Sequence, residues 1–249
     1  MLTLLSSLLL TSPSSAADFS TWVSDTKEYV KAPVHWDGSD WLEFGGTLAV
    51  IAVAYHYDDN VRAHFAPVPP TDLVNPSHDL RDAVPAATLF VGSWVLSKLE
   101  DDPKFTSAAW DMVEAGALST ASAFVLKTAT GRQRPYETRE ANQWGNGGDS
   151  FPSIHATAAF AVGTVFAESG GDEYRFLKRL IGYGMAGATA YIRVRDNDHW
   201  LSDVVAGAAL GEATARFIVN RHATTQRNAR LFVVPINGGL SLQYAAQLR

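Results

Sequence analysis

The chain has 249 residues, 47% of them hydrophobic, enough to furnish a core for one large domain or two small ones, so disorder is not the default reading. It contains no cysteine, which excludes a disulfide framework, a thiolate zinc site and a cysteine nucleophile. A formal net charge of −6 argues against general nucleic-acid binding, which needs a broadly cationic face to displace phosphate counterions.

In chain order, Leu2 to Leu10 is an apolar run broken by Thr3, Ser6 and Ser7 and followed by Pro13 and the small residues Ser14 to Ala17. This reads as an export signal over residues 1–17, cut near Ala16 or Ala17. Asp18 to Asp40, with Trp22 and Trp36, reads as short helix and loop wrapping the core. Gly45–Tyr57 and Ala83–Leu99 read as apolar helices, separated by a loop whose prolines Pro67, Pro69, Pro70 and Pro76 break any helix. A helix rich in Ala, Gly and Ser follows from Ala108 to Thr128 and stops at Gly131.

Glu137 to Ser150, with Gly145, Gly147 and Gly148, is a polar loop suited to a mobile rim. Helices are then expected from His155 to Glu168, Tyr174 to Ile192 and Trp200 to Val219, with Gly184, Gly187, Gly207 and Gly211 allowing close approach. After Asn220 the pattern becomes Leu231–Ile236, Asn237-Gly238-Gly239, Leu240–Leu248, a hairpin signal. Residues 18–230 thus form one helical domain, and 231–249 an accessory hairpin packed on it. None of the five apolar helical runs exceeds the fifteen uncharged residues of Ala83 to Ser97, whereas a spanning helix takes roughly 20. The expectation is a soluble, exported and periplasmic helical core; the alternative is a membrane-associated one with peripheral bilayer contact.

Three separated segments carry the chemistry. Lys127 stands six residues before Arg134-Pro135; Pro152-Ser153-Ile154-His155 follows; Arg193 stands five before His199, with Asp203 four further on. Together they supply three cations, a hydroxyl, two imidazoles and a carboxylate, the inventory of a phosphoryl-transfer centre that needs no metal. His199 and Asp203 are spaced i and i+4, so on a helix the carboxylate can orient one imidazole nitrogen and leave the other free to attack. His155 opens a helix, where unpaired N–H groups and the dipole favour an anion.

That ordered set resembles the type 2 phosphatidic acid phosphatase (PAP2) superfamily, which includes bacterial class A acid phosphatases, lipid phosphate phosphatases and vanadium haloperoxidases. The family pattern runs Lys-x6-Arg-Pro, Pro-Ser-Gly-His and Ser-Arg-x5-His-x3-Asp. Ile154 departs from its Gly and Ile192 from its Ser. The resemblance spans Lys127 to Gly207 and implies an all-α bundle of the PAP2, acid phosphatase and vanadium haloperoxidase type. It implies that His199 is the nucleophile, Asp203 its orienter and His155 the general acid, with a phosphohistidine intermediate. Lys127, Arg134, Ser153, the Ile154 backbone and Arg193 would cradle the phosphate of a small ester or a lipid. No cofactor is expected, vanadate acting as an inhibitor.

Two other readings stand beside this one: a vanadium-dependent haloperoxidase, and a phosphate- or lipid-binding protein without turnover, which Ile154 and Ile192 would permit. Arg132 and Arg195 read as rim or ion-pair residues with Asp196 or Asp198. His35, His56, His64, His78 and His222 show no paired spacing, so no metal site is expected. His56 with Asp58 and Asp59 reads as a helix end reaching solvent.

Overall fold

A computed structural model describes residues 19–65, 84, 86–95, 103–169, 174–236 and 239–246. The export signal, the proline-rich loop and the hairpin turn at 237–238 lie outside these. The architecture is all-α with a small hairpin at the end. Its helices are α1 (Phe19–Lys31), α2 (Gly38–His56), α3 (Asp58–Phe65), α4 (residues 86–95), α5 (Pro103–Thr130), α6 (Ile154–Glu168), α7 (Arg175–Arg195) and α8 (Leu201–Asn228). A 3-10 turn, Ala32–His35, links α1 to α2.

Local sequence explains the boundaries. Asp37 caps α2 by accepting from the backbone N–H of Ser39 and Asp40 at 2.7 and 3.1 Å, and Asp40 returns a bond to the Asp37 N–H at 2.9 Å. This capping box starts α2 seven residues earlier than its apolar run does. Gly131, at φ +53°, closes α5 by donating its N–H to the Lys127 carbonyl at 3.0 Å, a left-handed position that favours glycine.

The bundle is built around α6, which packs on α8, α7 and α5 and buries Ala156, Thr157, Ala159, Ala161, Val162 and Val165 among others. Met112, Ala115, Val162, Val165, Ala215 and Ile218 form the main apolar core with Leu89 of α4. Close helix approach is real, but two of the four expected glycines do not provide it. A Cβ on Gly207 would lie 2.6 Å from the Ser153 carbonyl oxygen, and one on Gly211 would lie 2.2 Å from that of Thr157. Gly163 and Gly182 face each other across α6 and α7 in the same way, at 2.6 and 2.4 Å, whereas Gly184 and Gly187 border open space. The α7 contact uses the other side of that helix.

The chain runs from α8 into β1 (Ala229–Ile236), which pairs antiparallel with β2 (Gly239–Ala246), Ala229 facing Ala246 and Ile236 facing Gly239. Among the described residues no helix is long and apolar enough to cross a membrane.

Candidate active site

The three sequence segments meet where α5 ends, α6 begins and α7 turns into α8. Lys127, Arg134, Ile154, His155 and His199 line one cleft of about 490 Å³. Its rim adds Phe124, Asp149 and the glycines Gly147 and Gly148. The loop between α5 and α6 is tied back more firmly than its composition suggests. Ser150 N–H donates to the Arg132 carbonyl at 2.8 Å and Gly145 N–H to that of Thr130 at 2.9 Å. Gly148 passes so close that a Cβ there would lie 2.3 Å from the Arg132 carbonyl oxygen.

His199 is 2% exposed. Burial, followed by the positive charges of Arg134, Arg193, Lys127 and His155, holds its pKa well below the ordinary imidazole range. It is therefore neutral at physiological pH, with a nitrogen lone pair available. Its Nδ1 faces Asp203 Oδ2 at 3.6 Å, too far for a hydrogen bond. Oδ2 instead accepts from Ser150 Oγ at 2.5 Å and the Trp200 N–H at 2.9 Å.

Arg132, read from sequence as a rim residue or an ion-pair partner of Asp196 or Asp198, is instead fully buried and pairs with Asp203 and Asp58. Its Nη1 donates to Asp203 Oδ1 at 2.5 Å and Ser202 Oγ at 2.8 Å, and its Nη2 to Asp58 Oδ2 at 2.7 Å. Nε and Nη2 both donate to the Ala141 carbonyl, at 3.1 and 2.9 Å. The guanidinium carbon lies 4.4 Å from the Trp144 ring centre and 5.2 Å from that of Trp200. Asp58 is likewise interior at 1% exposure, accepting from Ser202 N–H and Oγ at 2.8 and 2.6 Å. His56 and Asp59 are exposed, as expected of a helix end reaching solvent, but α3 turns its first carboxylate, Asp58, inward. Burial drives the pKa of Asp58 and Asp203 upward against the pull of their donors. No local spacing marks Arg132 and Asp58 as partners, and the Trp144 and Trp200 rings that pack on Arg132 lie 12 and 68 residues further along the chain. Arg195 does sit at the surface, paired with Asp196 at 2.7 Å.

Of the cations, Lys127 is nearly buried and donates to the Asp149 carbonyl and, at 3.5 Å, to that of Ser150. Burial, then the neighbouring Arg134, lower its pKa to about 8. Arg134 forms a two-pronged pair with Asp149, Nε to Oδ1 at 2.6 Å and Nη2 to Oδ2 at 2.9 Å. Asp149, unremarked in the sequence, thus holds the fork that a phosphate would use. Arg193 is 2% exposed, with Nη1 at 3.2 Å from Asp198 Oδ2. Its carbonyl accepts from the His199 N–H at 3.1 Å. Ser153 caps α6, its Oγ accepting from the Ala156 N–H at 3.4 Å, and its own N–H donates to the Asp203 carbonyl at 3.0 Å. His155 follows in the first turn, where the helix dipole favours an anion.

A neutral buried imidazole, three cations close to it and a second imidazole at a helix N-terminus thus gather at one cleft. Residues 108–227, just under half of the chain, match the PAP2 superfamily. The chain is similar to a lipid A 1-phosphatase of Porphyromonas gingivalis, 39% identical over 67 residues that make up 27% of this chain and 15% of that protein. It is also similar to a PA-phosphatase related-family protein of Dictyostelium discoideum, 27% identical over 146 residues, 52% of this chain and 53% of that protein. These matches therefore span about a seventh and about half of the relatives' lengths. No solved structure gives a significant match.

Proposed function

We propose that this protein is a PAP2-type phosphatase that transfers a phosphoryl group from an ester to His199 and then to water. The observation that carries the reading is the single cleft lined by Lys127, Arg134, His155 and His199, with Arg193 near enough to help keep His199 neutral. With Nδ1 turned toward Asp203, Nε2 is the nitrogen left for phosphorus. Its lone pair forms the N–P bond as the ester P–O bond breaks, and His155 gives the leaving oxygen a proton. Water then attacks the phosphohistidine, giving a proton to His155 as its O–P bond forms and the N–P bond breaks, and phosphate leaves with both histidines restored. Lys127, Arg134 and Arg193 offset the charge on the non-bridging oxygens. Arg132 fixes Asp203, which in turn faces His199.

A lipid-linked phosphate suits the rim better than a small polar ester. Phe124 lines the cleft while 62% exposed, Ile154 lines it too, and the exposed Val125 and Leu126 stand next to Lys127 in the chain.

The test is hydrolysis of p-nitrophenyl phosphate and of short-chain phosphatidic acid by the full chain and its His199→Ala variant, with acid-labile phosphoenzyme trapped from both. Wild-type turnover with phosphoenzyme, both lost in the variant by a factor of about 10³ or more, is the expected result. Activity within tenfold of wild type in His199→Ala, or a wild type that hydrolyses neither substrate, would overturn the reading.

A further inference from the structure

Away from the cleft, three helices send charged side chains into one buried cluster. Asp25 of α1, Asp111 and Glu114 of α5 and His222 of α8 are 2, 6, 4 and 8% exposed. His222 Nδ1 lies 2.7 Å from Asp111 Oδ1, and its Nε2 lies 2.9 Å from Asp25 Oδ2. Arg221, the preceding residue, engages the other oxygen of Asp25. Glu114 stands apart from this pairing. Its Oε2 is 3.7 Å from His222 Nε2, and neither of its oxygens has a hydrogen-bond partner although both are shielded from solvent.

An unpartnered buried carboxylate is costly, because desolvation removes its water and nothing replaces it. An imidazolium at His222 can donate one proton to Asp111 and one to Asp25, and has none left for Glu114. A small cation seated between Asp25, Glu114 and His222 would reach all three.

We propose that Asp25 Oδ2, Glu114 and His222 Nε2 form a structural binding site for a divalent transition-metal cation of the zinc class, with Asp111 holding His222 in the ligating tautomer. One ligand atom from each of the three residues lies within 4.8 Å of the others. Tetrahedral zinc with bonds of roughly 2.0–2.1 Å separates its ligands by about 3.4 Å, and the observed 2.9 and 3.7 Å bracket that value. An imidazole and two carboxylates are suitable zinc donors, with a fourth position left for water. The Asp111 contact on the opposite ring nitrogen is the outer-shell bond that metal-bound histidines usually make. Without metal, and against the effect of burial, the neighbouring carboxylates hold His222 protonated, its pKa raised to about 10. A metal at Nε2 displaces that proton, and three carboxylates against Arg221 and a neutral His222 then leave two negative charges, which a divalent cation balances.

Glu114 and Lys127 lie thirteen residues apart on α5, about 20 Å along a helix, so this site is distinct from the phosphate cleft. Its effect is to fasten α1 to α5 and α8, beside the Tyr29–Thr214 hydroxyl contact at 2.9 Å.

The full chain, stripped with chelator, is titrated with Zn²⁺ by calorimetry and by thermal unfolding. One equivalent should bind and raise Tm by about 4 °C or more at saturating metal. Glu114→Gln and His222→Gln should lose that shift, while His199→Ala should keep it. No Zn²⁺-dependent shift in the wild type, or an undiminished shift in Glu114→Gln, would overturn the proposal. If either site variant fails to fold, the ¹⁵N signals of the wild-type histidines decide: movement of His222 Nε2 on adding Zn²⁺ supports the site, and its indifference refutes it.

Discussion

Replacing Arg132 by methionine keeps a long side chain in place but strands two carboxylates that are wholly inside the protein. Asp58 and Asp203 each contact Arg132 at 0% side-chain exposure on both sides. Removing one partner of a buried ion pair costs about 3–5 kcal/mol, and here one substitution orphans two acids, so the upper half of that range is expected. With a urea m-value of roughly 2 kcal/mol/M, the unfolding midpoint should fall by about 2 M. The penalty has a predictable pH dependence. Both acids have pKa values raised by burial, and without Arg132 those values rise further. The native variant then binds more protons than its unfolded chain, so its stability falls as pH rises through the folded-state pKa values. The defect should therefore be smaller at pH 5 than at pH 8. Adding Asp58→Asn to Arg132→Met removes one stranded charge and should recover 1 kcal/mol or more, a coupling read from the double-mutant cycle. A single-variant loss below about 1 kcal/mol, or a cycle with no coupling, would refute the assignment of Arg132 as the organiser of the site base.

Because Lys127 has a pKa lowered to about 8, its charge is present below that pH and lost above it; kcat/KM should fall above pH 8, and Lys127→Arg should flatten that limb of the profile. Asp149 occupies the fork of Arg134, so Asp149→Asn should tighten inhibition by phosphate or vanadate several-fold, measured as Ki at constant ionic strength. Gly211→Ala forces a Cβ to 2.2 Å from the Thr157 carbonyl oxygen and should cost about 1–3 kcal/mol. Gly184→Ala, with open space around it, should be neutral or stabilising by up to about 1 kcal/mol, and paired thermal melts compare the two.

The parts of the site that lie in short ordered motifs were legible before the fold was known. Lys127, Arg134, Ile154, His155 and His199 do line one cleft, because each motif sits at a helix end that glycine, proline or a serine cap announces. What stayed hidden depends on distance along the chain. Arg132 meets Asp58 and Asp203 across 74 and 71 residues, and His222 meets Asp111 and Asp25 across 111 and 197. No spacing rule reaches that far, so isolated Asp and His residues resembled solvent-facing ones. The carboxylates of α5 illustrate the difficulty: no spacing marks Asp111 and Glu114 as inward-facing, yet both are buried. Glycine reading failed for a related reason. Composition indicates that helices can touch, but only the rotation of α7 decides that Gly182 faces Gly163 while Gly184 and Gly187 do not.

Asp203 joins the chain in two directions. Its carbonyl takes the N–H of Ser153, and its carboxylate takes Ser150, Trp200 and Arg132. One residue therefore fastens together segments that the chain supplies separately, at the end of α5, the start of α6 and the start of α8. For anyone seeking a silent version of this protein, the two ends of the His199–Asp203 pair are not equivalent. On the proposed reading, changing His199 should remove the nucleophile from an otherwise assembled scaffold, whereas changing Asp203 should loosen the segments that build the cleft. An inactive Asp203 variant consequently carries little information about mechanism until its fold has been measured.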